Sequence, residues 1–139
     1  MSGPCAKCGY DASAVVMERW SFFVERKLPS LNDRVFNAGA TRFAYSRERD
    51  AWQWEFRRAR LKLEIPKAAK RRRVTLVRVF SGRERERDLD NLAGGMKACV
   101  DSMVSEGLLL DDNKTGAEIH YEQRRDSVSG LFVTIEEIA

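Results

Sequence analysis

Residues 88–112 read DLDNLAGGMKACVDSMVSEGLLLDD, and this stretch decides how the rest of the chain is arranged. After Asn91 the apolar side chains fall at helical spacing. Gly107 supplies the expected stop, and the apolar run 108–110 carries the chain back. The pattern predicts an amphipathic helix that packs on a core through Leu92, Met96, Cys99, Val100 and Met103.

Aspartates flank this helical pattern on both sides. In an extended segment the side chains at i and i+2 leave the same face, so Asp88 and Asp90 are expected to project together while Leu89 points to the interior. Asp111 and Asp112 follow the helix, and the returning chain can bring a third carboxylate to the first two. The stretch therefore predicts a group of hard oxygen donors on one surface.

A divalent metal is the ligand that such a group suits. Close carboxylates raise one another's pKa unless a cation neutralises them. Mg²⁺, or Mn²⁺, binds a few carboxylates together with waters and substrate phosphate oxygens. The ion would activate a water for phosphodiester hydrolysis. Lys97 lies on the side of Asp90 and Asp101 on a helical wheel and would add to the stabilisation of the phosphate charge.

The same aspartates have a purely structural interpretation. Asp88 and Asp90 are suitable caps for a helix N-terminus, and the pair Asp111 and Asp112 is typical of a solvated turn. Spacing alone leaves both interpretations open, because an aspartate pair separated by one residue is a weak motif.

This stretch resembles the RusA-type Holliday junction resolvases, which are small homodimeric endonucleases that depend on a divalent metal. The resemblance is carried by residues 88–92, DLDNL, by Lys97 and Asp101, and by the aspartate pair 111–112. One departure is that the spacing from DLDN to the lysine is longer than in the best-known member, with residues 93–95, AGG, as the extra material.

The resemblance also implies roles for individual residues. It implies that Asp88, Asp90 and Asp112 hold the metal and that Lys97 assists cleavage. Asp111 would be an accessory carboxylate. The likeness is specific over residues 86–112, looser over residues 20–85 and 113–139, and absent before about residue 18.

Composition agrees with a single domain and a polyanionic partner. A chain of 139 residues with 43% hydrophobic residues can build one core. The 25 basic residues exceed the 21 acidic residues, and the pI is about 9.1. No apolar run is long enough to span a bilayer and no signal peptide is recognised, so we expect a cytoplasmic protein without a membrane partner.

The N-terminal region carries a second motif, Cys5-x-x-Cys8. It is half of a zinc site, and the remaining candidates, Cys99 and His120, lie on a core stripe and on the solvated face of a predicted strand. Two copies of the chain would supply four cysteines, but free thiols on a flexible tail are the favoured interpretation. We therefore expect a tail over residues 1–18, no zinc, and a nuclease domain over residues 19–139.

Two groups of residues are candidates for DNA contact. The basic run comprises Lys67, Lys70, Arg71, Arg72 and Arg73, and it leads into the strand that ends before Asp88. We expect it to contact the DNA backbone, with an ordinary solvated loop as the alternative. Trp54 lies beside Arg58 on the polar side of a helix and suits stacking on an unpaired base or packing in a dimer interface. Incidental exposure is the third alternative for Trp54.

The patterns together predict an α+β fold. Strands are expected over 20–28, 73–80, 117–123 and 131–135, and helices from Ser46 to Leu63 and after Asn91. The order β-α-β-α-β-β indicates a mixed sheet of about four strands with two helices, as in the RusA-like fold.

The resulting functional prediction is a Mg²⁺-dependent, structure-selective endonuclease. Two copies related by a twofold axis would place paired symmetric nicks in a four-way (Holliday) junction during recombination or repair. The alternative is a non-catalytic protein that binds branched or single-stranded DNA and uses its aspartates structurally.

Overall fold

A four-stranded sheet and three helical segments make up the part of the chain that the computed structural model describes, residues 15–29 and 41–138. The elements in order are β1 (Val16–Val24), α1 (Thr41–Leu63), β2 (Arg72–Phe80), α2 (Leu89–Gly95), α3 (Lys97–Ser105), β3 (Ala117–Arg125) and β4 (Gly130–Ile138). The predicted α+β class and element order are confirmed, with the second predicted helix divided at Met96.

The sheet is mixed, as predicted. Its strand order is β1-β4-β2-β3, so the last strand of the chain lies between the first two. β4 pairs antiparallel with both β1 and β2, whereas β2 and β3 are parallel. Parallel neighbours need a crossover connection, and α2 and α3 form that crossover. Because β2 and β3 are parallel, the chain before α2 leaves one end of this strand pair, and the chain before β3 enters at the other end.

The helices pack on one face of the sheet and form the core there. Val74, Leu76, Val133 and Ile135 of β2 and β4 are fully buried and belong to one cluster with Trp52 and Phe56 of α1 and with the predicted apolar stripe of α2 and α3. The predicted stripe is thereby confirmed. Each fully buried side chain of this size contributes roughly 1.5–3 kcal/mol. None of the helices in the described ranges is long and apolar enough to cross a membrane.

The largest differences between the predicted and observed boundaries are in β1 and at the start of α1. β1 begins at Val16, inside the predicted tail, and ends at Val24, because Val16 already pairs with Ile138 and the chain turns where the Arg26 N–H donates to the Val24 carbonyl at 2.9 Å. α1 begins at Thr41, so Ser46 lies inside the helix and the prediction that it caps the helix is wrong. Cap preference is a local effect, and tertiary context overrides it here.

The break between α2 and α3 coincides with the extra residues of the acidic stretch. α2 ends at Gly95, and Met96 has φ −96° and ψ 0°, outside regular helical geometry. A Cβ at Gly95 would lie 2.5 Å from the Pro29 carbonyl oxygen, so only glycine allows this approach. Gly107 follows α3 with φ +83°, which confirms the predicted stop.

A row of ionised side chains crosses the opposite face of the sheet, one from each strand; we call it the charge row. Arg19 of β1 bonds Glu136 of β4 at 2.8 Å, and Arg73 of β2 lies 3.9 Å from Glu136 and 2.5 Å from Glu118 of β3. These residues are direct cross-strand partners. The charge row therefore connects all four strands.

Candidate active site

Asp88 caps a helix rather than belonging to a strand. Its side chain accepts a hydrogen bond from the Asn91 backbone N–H at 2.8 Å, and α2 begins at Leu89. Leu89 is 68% exposed, so the prediction that it is buried is wrong. A helix that starts here satisfies its first N–H groups with the carboxylate, and this removes the extended geometry on which the prediction depended. The observed contact of Asp88 is therefore the helix cap that the structural interpretation predicts.

Asp111 and Asp112 lie in an exposed turn before β3. Asp111 accepts hydrogen bonds from the Asp112 backbone N–H at 2.7 Å and from the Asn113 side-chain amide at 3.1 Å. Burial raises the pKa of Tyr121, and the negative charge of Asp112 adds to this effect.

The strand β3 lies close to both acidic segments. The Gln123 side chain accepts from the Arg87 backbone N–H at 3.0 Å and donates to the Arg87 carbonyl at 2.6 Å, which fixes the chain immediately before Asp88. Gln123 and Tyr121 are two residues apart and share one face of β3, so their Cα atoms lie about 7 Å apart. Sequence reasoning missed Gln123, because nothing local distinguishes it from other polar strand residues.

The carboxylates are of the right kind for a hard cation, but they are not assembled into a cluster. Within residues 15–29 and 41–138, no three His, Cys, Asp or Glu side chains are grouped as a metal ion would need. One Asp88 oxygen is committed to the helix cap. Asp90 and Asp112 are exposed, and among the described residues no hydrogen bond or ion pair engages either carboxylate. Their oxygens are thus available to an incoming ligand.

Lys97 stands at the start of α3 in a small polar group that we call the lysine cluster, made of Tyr45, Lys97 and Asp101. The Lys97 ammonium lies 3.5 Å from an Asp101 carboxylate oxygen, one helical turn away. The Tyr45 hydroxyl of α1 donates to the same oxygen. Sequence reasoning gave Tyr45 no part in the site, and the hydroxyl on its aromatic ring was the available signal.

An open cleft lies beside Asp88. Its volume is about 800 Å³, and its walls come from the end of the β1 segment, from α1 and from the chain that connects β2 to α2. Arg87 holds two walls together by donating to the carbonyls of Leu28 and Pro29 at 2.9 and 2.8 Å. Two other basic residues of the lining, Lys27 and Arg85, are exposed to solvent. The lining also contains the carboxylates of Glu48, Glu84 and Glu86, and the two exposed cations are suited to contact with a phosphate-bearing strand.

The predicted basic run is divided by the fold. Arg72 is 0% and Arg73 is 1% exposed, so the prediction that these two contact DNA is wrong. Arg72 lies over the Trp20 ring and pairs with Glu137 at 2.7 Å, and Arg73 belongs to the charge row. Both arginines are committed to strand partners distant in sequence. Lys67 and Lys70 are exposed, and Arg71 is half-buried and donates to the Lys114 carbonyl at 2.6 Å.

Three further candidates have separate outcomes. Trp54 is 59% exposed, and Arg58 beside it pairs with Glu55 at 3.3 Å, so both remain on the surface as predicted.

His120 was expected to be solvated, and this is wrong: it is 8% exposed and lies 2.7 Å from Glu118, next to the charge row. Cys5 and Cys8 lie outside the described residues, so the zinc question stays a prediction.

Comparison with known proteins adds no assignment. No protein-family model matches the chain, and no curated protein matches it significantly. The resemblance to the RusA-type resolvases therefore stays a prediction that depends on the residues quoted above.

Proposed function

We propose that this protein is a RusA-like, Mg²⁺-dependent endonuclease that cuts branched DNA, with the four-way junction as its substrate. The observation that carries the proposal is that both acidic segments are linked to the same face of β3. The chain before Asp88 is hydrogen-bonded to Gln123, while burial and the charge of Asp112 together raise the pKa of Tyr121, which lies two residues before Gln123 in the same strand. Carboxylates that loops bring alongside one strand are a usual site for a catalytic metal.

The available oxygens support the same chemistry. Asp90 and Asp112 would bind Mg²⁺ with the remaining oxygen of Asp88, and Asp111 would be an accessory. A bound ion would supply an activated water and stabilise the phosphate charge. The rims of the cleft and the exposed lysines 67 and 70 would hold the DNA backbone, and Lys97 would add positive charge near the scissile phosphate.

A homodimer completes the proposal. A four-way junction is twofold symmetric, so two copies related by a twofold axis would present one site to each of two equivalent strands. Trp54 is an exposed aromatic that suits either a dimer contact or base stacking. The oligomeric state is measured by light scattering after gel filtration, and a monomer at micromolar concentration bound to an intact junction would contradict paired nicking.

Asp90→Asn tests the site. The substitution keeps the size of the side chain and removes its charge, so we expect junction binding within about twofold of wild type and nicking reduced by at least about a hundredfold. A nicking assay on a synthetic four-way junction, with and without Mg²⁺, measures both. Asp50→Asn, at an exposed position on α1, is the matched control and should cut normally. Equal nicking by Asp90→Asn and wild type would contradict the assignment.

A second function is favoured by one observation, namely that Asp88 and Asp111 are engaged in a helix cap and a turn. On this alternative the protein binds branched or single-stranded DNA without cutting it. Tight junction binding by the wild type with no nicking at any Mg²⁺ or Mn²⁺ concentration would favour the alternative.

A further inference from the structure

The lysine cluster joins two helices through one carboxylate. Asp101 of α3 accepts from the Tyr45 hydroxyl of α1, and the same oxygen lies 3.5 Å from the Lys97 ammonium. Tyr45 packs its ring against the core, whereas Lys97 is exposed. The cluster therefore runs from a fixed aromatic ring, through a half-buried carboxylate, to an exposed cation.

A lysine and an aspartate one turn apart hold each other only weakly when both are free. Such surface pairs change an equilibrium by about twofold, because two flexible side chains must be ordered at once. In this protein Asp101 is already oriented by a hydroxyl on another helix. At the next residue, the Ser102 hydroxyl lies 2.7 Å from the Arg49 carbonyl of α1 and 2.6 Å from the Ala98 carbonyl of its own helix, so α1 and α3 are in contact there. The packing of Tyr45 thus meets the ordering cost of the Asp101 side chain, and only the Lys97 side chain remains to be ordered.

We propose that Tyr45 and Asp101 are positioning residues for Lys97. Tyr45 fixes the Asp101 carboxylate, and Asp101 holds the Lys97 ammonium in one place at the start of α3. The inference rests on the proposed function, which gives Lys97 its part in cleavage. Neither Tyr45 nor Asp101 touches the DNA on this view; both act through Lys97.

The protonation of Tyr45 agrees with its role as a donor. Burial raises the pKa of Tyr45 above the ordinary value of 10.0, and the hydrogen bond to Asp101 raises it further. The hydroxyl therefore keeps its proton over the whole range in which a nuclease assay is run. Phenylalanine at this position would keep the ring packing and lose only the donated hydrogen bond.

A double-mutant cycle separates positioning from simple helix packing. On a synthetic junction with Mg²⁺ we expect Tyr45→Phe to lower kcat about tenfold with KM nearly unchanged, since one fixed hydrogen bond in the site is lost. In a Lys97→Met background the same change should have no further effect, because its only route of action has been removed. An equal loss of kcat in both backgrounds would overturn the proposal.

A second readout does not need catalysis. In the full-length protein with ¹³C-dimethylated lysines, which keep their charge, the Lys97 methyl resonance is assigned by its loss in Lys97→Met. We expect Tyr45→Phe and Asp101→Asn to shift and narrow this resonance, and Asp50→Asn on α1 to leave it unchanged. An unchanged Lys97 resonance in Tyr45→Phe overturns the positioning role. A wild type that does not nick overturns the nuclease proposal alone, because the NMR result still decides whether Tyr45 and Asp101 hold the ammonium.

Discussion

Glu106 is the buried carboxylate that fastens α1 to the end of α3. It accepts hydrogen bonds from Arg57 at 3.1 Å and from Arg60 at 2.9 Å, and its own side chain is almost fully buried. Glu106→Gln leaves two guanidinium groups without their counter-charge. We expect a loss of about 2 kcal/mol, below the range for fully buried pairs because both arginines reach solvent. Urea denaturation measures the loss.

Glu55→Gln is the matched control for that substitution. Glu55 pairs with the exposed Arg58 on α1, and such surface pairs contribute about 0.5 kcal/mol or less. A loss for Glu55→Gln equal to that for Glu106→Gln would show that burial does not decide the strength of these ion pairs.

The same carboxylate makes stability depend on pH. Burial alone would raise the pKa of Glu106, but the hydrogen bonds from Arg60, Arg57 and Gln53 lower it below the ordinary value of 4.5. A pKa lowered by folding means that the stabilisation is complete above pH 4.5 and is lost as the pH falls through the folded-state value. The difference in stability between wild type and Glu106→Gln should therefore be largest near neutrality and shrink below pH 4.5. A difference that grows in acid would contradict this sign.

At the scale of elements, the start of β2 divides the basic run 67–73 into exposed residues that are candidates for DNA contact and buried residues that stabilise the fold. Lys67 and Lys70 lie outside the strand and are exposed, whereas Arg72 and Arg73 are inside it and buried. Alanine at Lys67 or Lys70 should leave stability within about 0.5 kcal/mol and reduce the slope of log K against log salt for DNA by about one. Fluorescence anisotropy at several salt concentrations measures that slope.

Arg72→Ala and Arg73→Ala should behave in the opposite way. Arg72→Ala leaves the half-buried Glu137 unpaired, whereas in Arg73→Ala the buried Glu118 keeps His120 and Arg71, at 2.7 and 3.7 Å. We expect a loss of about 3–5 kcal/mol for Arg72→Ala and a smaller loss for Arg73→Ala, with the salt slope unchanged in whatever protein still folds. Thermal unfolding followed by circular dichroism measures this loss. A reduced salt slope for a folded Arg72→Ala would show that the buried arginine reaches DNA after all.

The fold was predictable from the sequence because its patterns are local. The alternation of Leu131, Val133 and Ile135 and the helical stripe after Asn91 fix strand or helix without knowledge of any partner. The site was less predictable. Asp88 is a helix cap because the chain from Leu89 onward is helical rather than extended, and the spacing of residues in the sequence does not predict which conformation forms. Arg72 and His120 were misplaced because their partners, Glu137 and Glu118, are identified only by strand pairing.

In the molecule as a whole, stability is expected to concentrate in the two central strands. β4 and β2 are hydrogen-bonded on both sides, and their core residues Leu76, Val133 and Ile135 are fully buried. α2 has only seven residues and an exposed first turn. Hydrogen exchange should therefore be slowest in β2 and β4 and fast in α2. Amides of α2 that outlast those of β4 would contradict this distribution.

The charge row has a consequence for how the chain avoids misfolding. If β4 slipped by two residues so that Glu136 lay opposite Ser21 of β1 and Thr75 of β2, Glu136 would lose both Arg19 and Arg73. A carboxylate stranded in this way is heavily penalised, whereas the aliphatic residues of β4 would tolerate the slip almost equally well. The ionised side chains thus favour the native alignment of the strands over slipped ones. Acidic refolding buffers, which neutralise the glutamates, should therefore yield more misaligned and aggregated protein than neutral ones.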